Sequence, residues 1–290
     1  MRYKFLTLQD GSEVKAALPY IISASRNCDL PSEPDKLLKL LSAPYVSKVN
    51  PFNHKLSYIT FDEVKLLVLW SKFPRVFLKY PQFFKSLPYK TALLYTLNDY
   101  EKEGFEKVPN LFNRINLFKE CVRLLGKGAV IWRYDPIILN GELTPKEHIK
   151  RFYNIAQQLN GYCDRVIFSF IDTRYPNAKK NAAYLKVIPA SEDEKLMLIK
   201  NLVEIGKKFG MTLQSCAQSS DFTVAGAESD GCIGKYLVKY YRLNSNLCRD
   251  RAQRKFCLCL ESRDIGQEHG CKFNCAYCYA FKEIKWRECC

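Results

Sequence analysis

The residues with the clearest chemistry stand near the end of the chain, in the segment Cys271-Lys-Phe-Asn-Cys275-Ala-Tyr277-Cys278. Its three cysteines are spaced C-x3-C-x2-C, and an aromatic residue precedes the third. Three thiolates on one short loop can hold three irons of a cubane cluster and leave the fourth iron open for another ligand. A zinc site usually has four protein ligands, or three and a water, and often shows paired C-x2-C knuckles. The spacing therefore favours a 4Fe–4S cluster on Cys271, Cys275 and Cys278, with structural zinc as the alternative.

The other cysteines are numerous enough to suggest a second metal site. The chain has 13 cysteines, and nine of them lie at or after Cys232. In a reducing compartment cysteines are more often metal ligands or plain thiols than disulfides. We predict a second site, either an auxiliary iron–sulfur cluster or tetrahedral zinc, on Cys216, Cys232, Cys257 and Cys259. The alternative is that Cys216 and Cys232 are small core residues and that the Cys-Leu-Cys segment has no ligand role.

The net charge of +15 favours polyanionic partners, nucleic acid first. The alternative is a lysine-rich, solvated surface, because much of the excess lies in stretches with helical spacing. No run of 18 uncharged apolar residues occurs, so no membrane association is expected. The first ten residues lack the apolar core of a secretory signal, which predicts a cytoplasmic protein.

Six short apolar runs alternate with stretches of helical periodicity, among them 111–125, 145–159 and 191–208, and Ser191 and Glu194 have the spacing of a capping box at the start of the last. Continuous apolar runs with β-branched residues are typical of strands buried on both faces of a parallel sheet. This rhythm predicts a TIM-like parallel β/α barrel, complete or partial, over residues 1–220, with residues 1–18 as a peripheral extension. The rhythm fades afterwards, and residues 221–290 are predicted to form a cysteine-rich cap over the barrel mouth. The six runs are Tyr20–Arg26, Val64–Lys72, Thr91–Thr96, Ala129–Asp135, Arg165–Asp172 and Met211–Cys216.

Polar side chains collect where these predicted strands end, which is where α/β barrels carry their chemistry. Among these residues, Arg133 and Asp135 are the pair least expected to occur by chance, because they alternate with the aromatic residues Trp132 and Tyr134. Some of the strand-end residues could instead cap helices or lie on the solvent-exposed rim of the barrel.

The segment Cys271–Ala280 resembles the cluster loop of the radical S-adenosylmethionine superfamily, with Tyr277 in the aromatic position. In that superfamily the open iron binds the amino and carboxylate groups of S-adenosylmethionine, whose reductive cleavage gives a 5′-deoxyadenosyl radical. Most members carry the loop near the N-terminus. The C-terminal position here resembles an uncharacterised family of domain-of-unknown-function proteins, related in cluster sequence to spore photoproduct lyase. That resemblance rests on Ile22–Arg26, Asp29–Pro31, Val49–Asn53, Trp70–Lys72 with Pro74, Val130–Pro136, Ser169–Asp172, Cys257–Cys259, Ser262–Gly266 and Cys271–Ala280.

Together, the resemblance and the strand-end positions predict a set of residues that bind the cofactor or act in catalysis. An arginine suits a carboxylate because its fork is bidentate, and an aspartate suits ribose hydroxyls. The predicted catalytic residues are Arg133, Asp135 and Lys72, and the predicted cofactor-binding residues are Ser25, Arg26, Asn53, Ser169, Asp172 and Tyr277.

Two functions of different class follow. The first is a radical S-adenosylmethionine-type enzyme acting on an unknown substrate, which could be a nucleic-acid base, with a flavodoxin- or ferredoxin-like electron donor. The second is a non-radical iron–sulfur protein that binds nucleic acid or transfers electrons. A fourth thiolate near the loop, from Cys257, Cys259 or the terminal Cys289–Cys290 pair, would favour the second function, because it would close the open iron.

Overall fold

The computed structural model describes residues 2–24, 28–49, 55–244, 246–266 and 271–280. The strands are β1 (Arg2–Thr7), β2 (Glu13–Leu18), β3 (Ile21–Ala24), β4 (Tyr45–Val49), β5 (Leu56–Thr60), β6 (Leu66–Ser71), β7 (Lys90–Thr96), β8 (Val130–Ile137), β9 (Arg165–Phe170), β10 (Thr212–Ser215), β11 (Glu228–Ser229) and β12 (Arg263–Asp264). The helices are α1 (Pro34–Leu41), α2 (Val76–Lys79), α3 (Pro81–Ser86), α4 (Leu111–Leu125), α5 (Pro145–Gln158), α6 (Pro176–Tyr184), α7 (Glu192–Lys208) and α8 (Lys235–Tyr241).

The fold is mixed α/β and is built on an eight-stranded sheet. Its strand order is β11-β10-β9-β8-β7-β6-β3-β12, and each of its ladders is parallel. The six predicted strands are the central six of this sheet, as their apolar runs indicated. Among the described residues no ladder joins β11 to β12, so the sheet does not show the complete closure that defines a TIM barrel.

The two faces of the sheet bury different neighbours, because successive side chains of a strand point to opposite faces. On β6, Leu67 and Leu69 belong to the large core that includes side chains of α4, α5 and α7. Leu66 and Val68 belong to a second cluster, whose other members come mainly from the segment after β10. The C-terminal segment therefore covers the face that a closed barrel would turn inward.

The main helices begin and end at the residues that their sequence signals indicate. Ser191 and Glu194 form a reciprocal capping box at the start of α7. Asn110 caps α4 with its side chain, and Thr144 caps α5. Gly210, just beyond α7, has a left-handed φ of 70°, which glycine adopts without a steric penalty. The helices predicted near 111–125, 145–159 and 191–208 are confirmed.

A second, four-stranded sheet lies at the N-terminal end of the chain, in the order β1-β2-β5-β4. It joins β1 and β2 to strands from residues 45–60, through antiparallel ladders and one parallel ladder. Residues 1–18 were predicted to be a peripheral extension, but they contribute β1 and β2 to this sheet. The alternation in these strands is weak, and few of their side chains are buried.

Strands from both sides of residue 220 share the large sheet. The two edge strands, β11 and β12, come from the C-terminal segment and pair with β10 and β3. The boundary between a barrel at 1–220 and a cap at 221–290 stays a prediction.

Candidate functional site

A cavity of about 380 Å³ opens at the carboxyl ends of the central strands. Its walls come from the ends of β6, β8, β9 and β10, from the segment after β3, from α6 and from the cysteine-rich segments near 257 and 271. Ligands of open α/β sheets bind at this edge, where the loops diverge. The volume is in the usual range for a small-molecule or cofactor site.

Thirteen of the predicted site residues line this one cavity. Ser25, Arg26 and Asn53, the remaining three, lie outside the described residues. The thirteen are Lys72, Arg133, Asp135, Ser169, Asp172, Tyr277, Cys271, Cys275, Cys278, Cys216, Cys232, Cys257 and Cys259.

The loop with the three cysteines is held against the fold by its own backbone. Phe273 accepts a hydrogen bond from the Lys107 backbone at 2.8 Å, and Ala276 donates one to the Phe105 carbonyl at 2.9 Å. On the other side, Asn181 of α6 donates to the Cys278 carbonyl at 2.8 Å. The loop is therefore fixed in the fold by hydrogen bonds to neighbouring segments.

Lys72 and Glu106 form a buried ion pair beside this loop. The Lys72 Nζ atom lies 2.8 Å from Glu106 Oε1 and 2.6 Å from the Tyr277 hydroxyl. That hydroxyl in turn donates to Glu106. Arg114, which is fully buried, lies 3.6 Å from the second oxygen of Glu106. This network ties the cysteine loop to the ends of β6 and β7.

Both members of the pair are held in their charged forms. Burial alone would lower the pKa of Lys72, but Glu106 and the Cys275 thiol outweigh it and the pKa is raised. Burial alone would raise the pKa of Glu106, but Lys72 and Arg114 outweigh it and the pKa is lowered. A fixed cation therefore lies next to Cys275, where it would stabilise a thiolate.

Arg133 and Asp135 form the second polar group of the cavity. They pair with each other, and Asp135 also accepts a hydrogen bond from Ser169. Asn98 connects this group to the first, because it donates to Glu106 Oε1 at 3.2 Å and accepts from the Asp135 backbone at 3.1 Å. The Nε atom of Arg133 is buried and has no hydrogen-bond partner, so one donor of this side chain is unused.

Two aspartates at the cavity have pKa values shifted in opposite directions. Burial raises the pKa of Asp29 to about 6, although Ser71 and the Lys72 backbone donate to it. Hydrogen bonding to Arg174 lowers the pKa of Asp172 to about 2, and Arg254 adds to the effect. Of these two aspartates, Asp29 is the one whose pKa lies near neutral pH.

The four cysteines of the predicted second site come together in the apolar cluster under the sheet. The sulfurs of Cys216 and Cys232 lie 3.0 Å apart. The side chain of Cys232 is also hydrogen-bonded to that of Cys259, and the side chain of Cys259 is hydrogen-bonded to that of Cys257. These contacts link all four thiols. Within the described ranges, no group of three or more His, Cys, Asp or Glu side chains already has a metal-binding arrangement.

The sequence analysis missed Glu106, Asn98, Asp29 and Arg254 as parts of this site. Asp29 stands in a segment that it had singled out, so a signal existed for it. Glu106 and Asn98 lie between β7 and α4, where no periodicity marks them. Arg254 belongs to the basic stretch 249–255, yet it lines the cavity and lies 3.1 Å from Asp172.

The fold and this cavity define a parallel α/β protein with a cysteine-lined site at the carboxyl edge of its sheet. The chain belongs to a family known as a domain of unknown function, DUF1848, whose sequence profile matches residues 21–280. No curated protein and no solved structure matches the chain significantly. In the described ranges no helix is long and apolar enough to cross a membrane.

Proposed function

We propose that this protein is an iron–sulfur enzyme of the radical S-adenosylmethionine type, with a 4Fe–4S cluster on Cys271, Cys275 and Cys278. The observation that carries the proposal is that this loop and the polar strand-end residues line the same cavity. A reactive species made at the loop would therefore arise in a sheltered space, next to side chains that can orient a substrate.

The donors fit such a cluster in type, number and surroundings. The three thiols are close enough to raise one another's pKa, beyond the larger effect of burial, at Cys271 and Cys275. Lys72 opposes this at both thiols, so a cation is already placed to balance the charge of a thiolate cluster. Three protein ligands leave one iron for an external ligand.

When bound, the cluster would supply the electron that splits S-adenosylmethionine into methionine and a 5′-deoxyadenosyl radical. The protein's own groups bind and orient. Arg133, with its unused Nε donor, suits the methionine carboxylate. Asp135 and Asp172 accept hydrogen bonds from ribose or substrate hydroxyls, assisted by Ser169. Lys72 and Tyr277 hold the loop in place, and the positive charge of Lys72 balances part of the negative charge of the loop thiolates.

Three finer statements belong to the same proposal. The eight-stranded sheet curves as a partial β/α barrel, with the cavity at its mouth. The protein works in the cytoplasm, where a flavodoxin- or ferredoxin-like donor supplies the electron. Its substrate is a nucleic-acid base or another polyanion-linked group, in line with the net charge of +15.

Anaerobic reconstitution with iron and sulfide tests the proposal. The reconstituted protein, given S-adenosylmethionine and dithionite, should form 5′-deoxyadenosine. Cys271→Ala, Cys275→Ala and Cys278→Ala should each lose the cluster chromophore and the product. Cys248→Ala, at an exposed cysteine away from the cavity, is the matched control and should keep both. Full iron content in the triple variant would overturn the assignment.

A non-radical iron–sulfur protein that binds nucleic acid or transfers electrons is the second candidate. The observation that favours it is that Cys257 and Cys259 line the same cavity as the loop and could supply a fourth thiolate. A cluster with four protein thiolates has no open iron, so it cannot bind S-adenosylmethionine. An unchanged electron paramagnetic resonance spectrum of the reduced cluster on adding S-adenosylmethionine, with no 5′-deoxyadenosine, would select this candidate.

A further inference from the structure

Four cysteines from separate parts of the chain share one buried position. Cys216 directly follows β10, Cys232 lies in the turn before α8, and Cys257 and Cys259 flank Leu258. Each is at most 7% exposed. Their sulfurs form the continuous series of contacts described above.

The backbone around them is built for close approach. A Cβ on Gly231 would lie 2.6 Å from both the Cys259 Cα atom and the Leu258 carbonyl oxygen, so only glycine fits there. The Leu260 backbone donates to the Ile233 carbonyl at 2.8 Å, which joins the two segments side by side.

Further hydrogen bonds hold the same segments from outside. Gln214 of β10 donates to the carbonyls of Asp230 and Gly231 at 3.1 and 3.0 Å. Arg249 donates to the Cys257 carbonyl at 2.7 Å. These hydrogen bonds to the backbone hold the segments of Cys232, Cys257 and Cys259 side by side, next to β10.

Positive charge lies next to the thiols. Arg133 and Arg254 both interact electrostatically with Cys216, and Arg133 also with Cys232. Four thiolates around one divalent ion carry a net charge of −2. Arg133 and Arg254, which already pair with Asp135 and Asp172, would add a favourable interaction with that charge.

The spacing favours a single ion over a cubane. With metal–sulfur bonds of about 2.3 Å, two thiolates on one tetrahedral zinc lie about 3.8 Å apart. The hydrogen-bonded pair Cys216–Cys232, at 3.0 Å, is closer than that and would have to open by roughly 1 Å. A cubane would need a much wider spread of all four sulfurs. Binding of a metal ion would displace the protons of the four thiols.

We propose that Cys216, Cys232, Cys257 and Cys259 bind one tetrahedral Zn²⁺ ion, separate from the cluster on the 271–278 loop. The ion joins the end of β10 to the C-terminal segment and forms one wall of the cavity. This assignment does not depend on the proposed radical chemistry, since the four ligands are distinct from the three loop cysteines.

The test uses the full chain with Cys271, Cys275 and Cys278 all changed to alanine, so that only the second set can bind metal. Elemental analysis should find one zinc per chain after dialysis. Co²⁺ added to the metal-free form should give the intense visible absorption of a tetrahedral thiolate site, displaced by Zn²⁺. Adding Cys232→Ser should reduce zinc content at least tenfold, whereas adding Cys248→Ser should leave it unchanged.

A second measurement guards against misfolding of the Cys232→Ser variant. In the background with the four cysteines intact, Zn²⁺ should raise the thermal unfolding midpoint, because it binds only the folded state. The proposal is overturned by absence of zinc and cobalt binding, by a weak octahedral Co²⁺ spectrum, by a four-iron cluster in this background, or by a Cys216–Cys232 disulfide in place of metal.

Discussion

The two cysteine sets share a cavity but are held in opposite ways. The loop 271–278 carries its three cysteines within eight residues, and its neighbours are charged, chiefly Lys72 and Glu106. The second set is gathered from residues 216–259 and packs in an apolar cluster. Cysteines that lie within one short segment need only that segment to pack against the fold. Cysteines from distant segments come together only when the whole chain folds. Under the two proposals above, the first set would form a three-ligand site open to a substrate, and the second a closed four-ligand site.

Removal of the Glu106 carboxylate should have the largest effect, because the charged side of the cavity depends on it. Glu106→Gln leaves Lys72 and Arg114 buried without their shared partner, which should cost about 3–5 kcal/mol of folding stability. Urea unfolding measures this. Glu120→Gln is the control, since its pair with Arg123 is more than half exposed and should be worth about 0–1 kcal/mol. Equal losses in the two variants would show that the buried network is not a structural support.

The two cavity aspartates should give opposite pH dependences of stability. The pKa of Asp29 is raised to about 6 in the folded state. The folded protein thus binds more protons than the unfolded chain between about pH 4 and 6, and stability should fall as the pH rises through that window. A shift of this size corresponds to at most roughly 3 kcal/mol. Urea unfolding of metal-free protein from pH 4 to 7 should show the slope, and Asp29→Asn should remove it.

Asp172 provides the opposing case. Its pKa is lowered to about 2, so its contribution is complete above the unfolded value and is lost as the pH falls toward 2. Asp172→Asn should flatten the acid limb of the curve and leave the slope between pH 4 and 6 intact. If Asp172→Asn and Asp29→Asn changed the same limb, the two environments would not differ as described.

Gly231→Ala probes the tight packing of the apolar side. The new methyl group would meet the Cys259 backbone at 2.6 Å, and overpacking of this kind costs about 1–3 kcal/mol. Thermal unfolding should show a lower midpoint, and Co²⁺ affinity should drop in parallel, because the methyl pushes Cys259 away. Gly141→Ala, where a Cβ has nothing within 4 Å, is the matched control. A normal midpoint and affinity in Gly231→Ala would mean that the close approach does not set the thiol geometry.

The smallest expected effect concerns nucleic acid. Arg249 and Arg254 are engaged inside the fold, with the Cys257 carbonyl and with Asp172. Arg251 and Lys255 are exposed and can be neutralised without disturbing the cavity. If the stretch 249–255 contacts phosphates, Arg251→Gln with Lys255→Gln should reduce the slope of log affinity against log salt by about 1.4 on single-stranded DNA. Fluorescence anisotropy with single-stranded DNA at several salt concentrations measures the slope. An unchanged slope would remove this stretch from any nucleic-acid surface.

The sequence analysis placed the central strands and the main helices correctly, because each rests on a local signal. Leu66–Ser71 is an apolar run of strand length, and Ser191 with Glu194 has the spacing of a capping box that starts a helix. It missed β1 and β2 as parts of a sheet, since their half-exposed pattern carries no clear period. The sequence also does not show whether the barrel closes, because no local pattern indicates which edge strands pair with each other.

The same division holds for the candidate site. The type and spacing of Cys271, Cys275 and Cys278 are a property of the sequence, because eight consecutive residues cannot place three thiols far apart. Strand-end residues such as Lys72 and Arg133 follow from the parallel sheet, whose carboxyl ends share one edge. The partners of these residues do not follow. Glu106 and Asn98 become members of the site because the segment after β7 lies beside the ends of both sheet neighbours of β7, which are β6 and β8. The contact between Cys216 and Cys232 likewise depends on how the C-terminal segment folds back under β10, which no local pattern encodes.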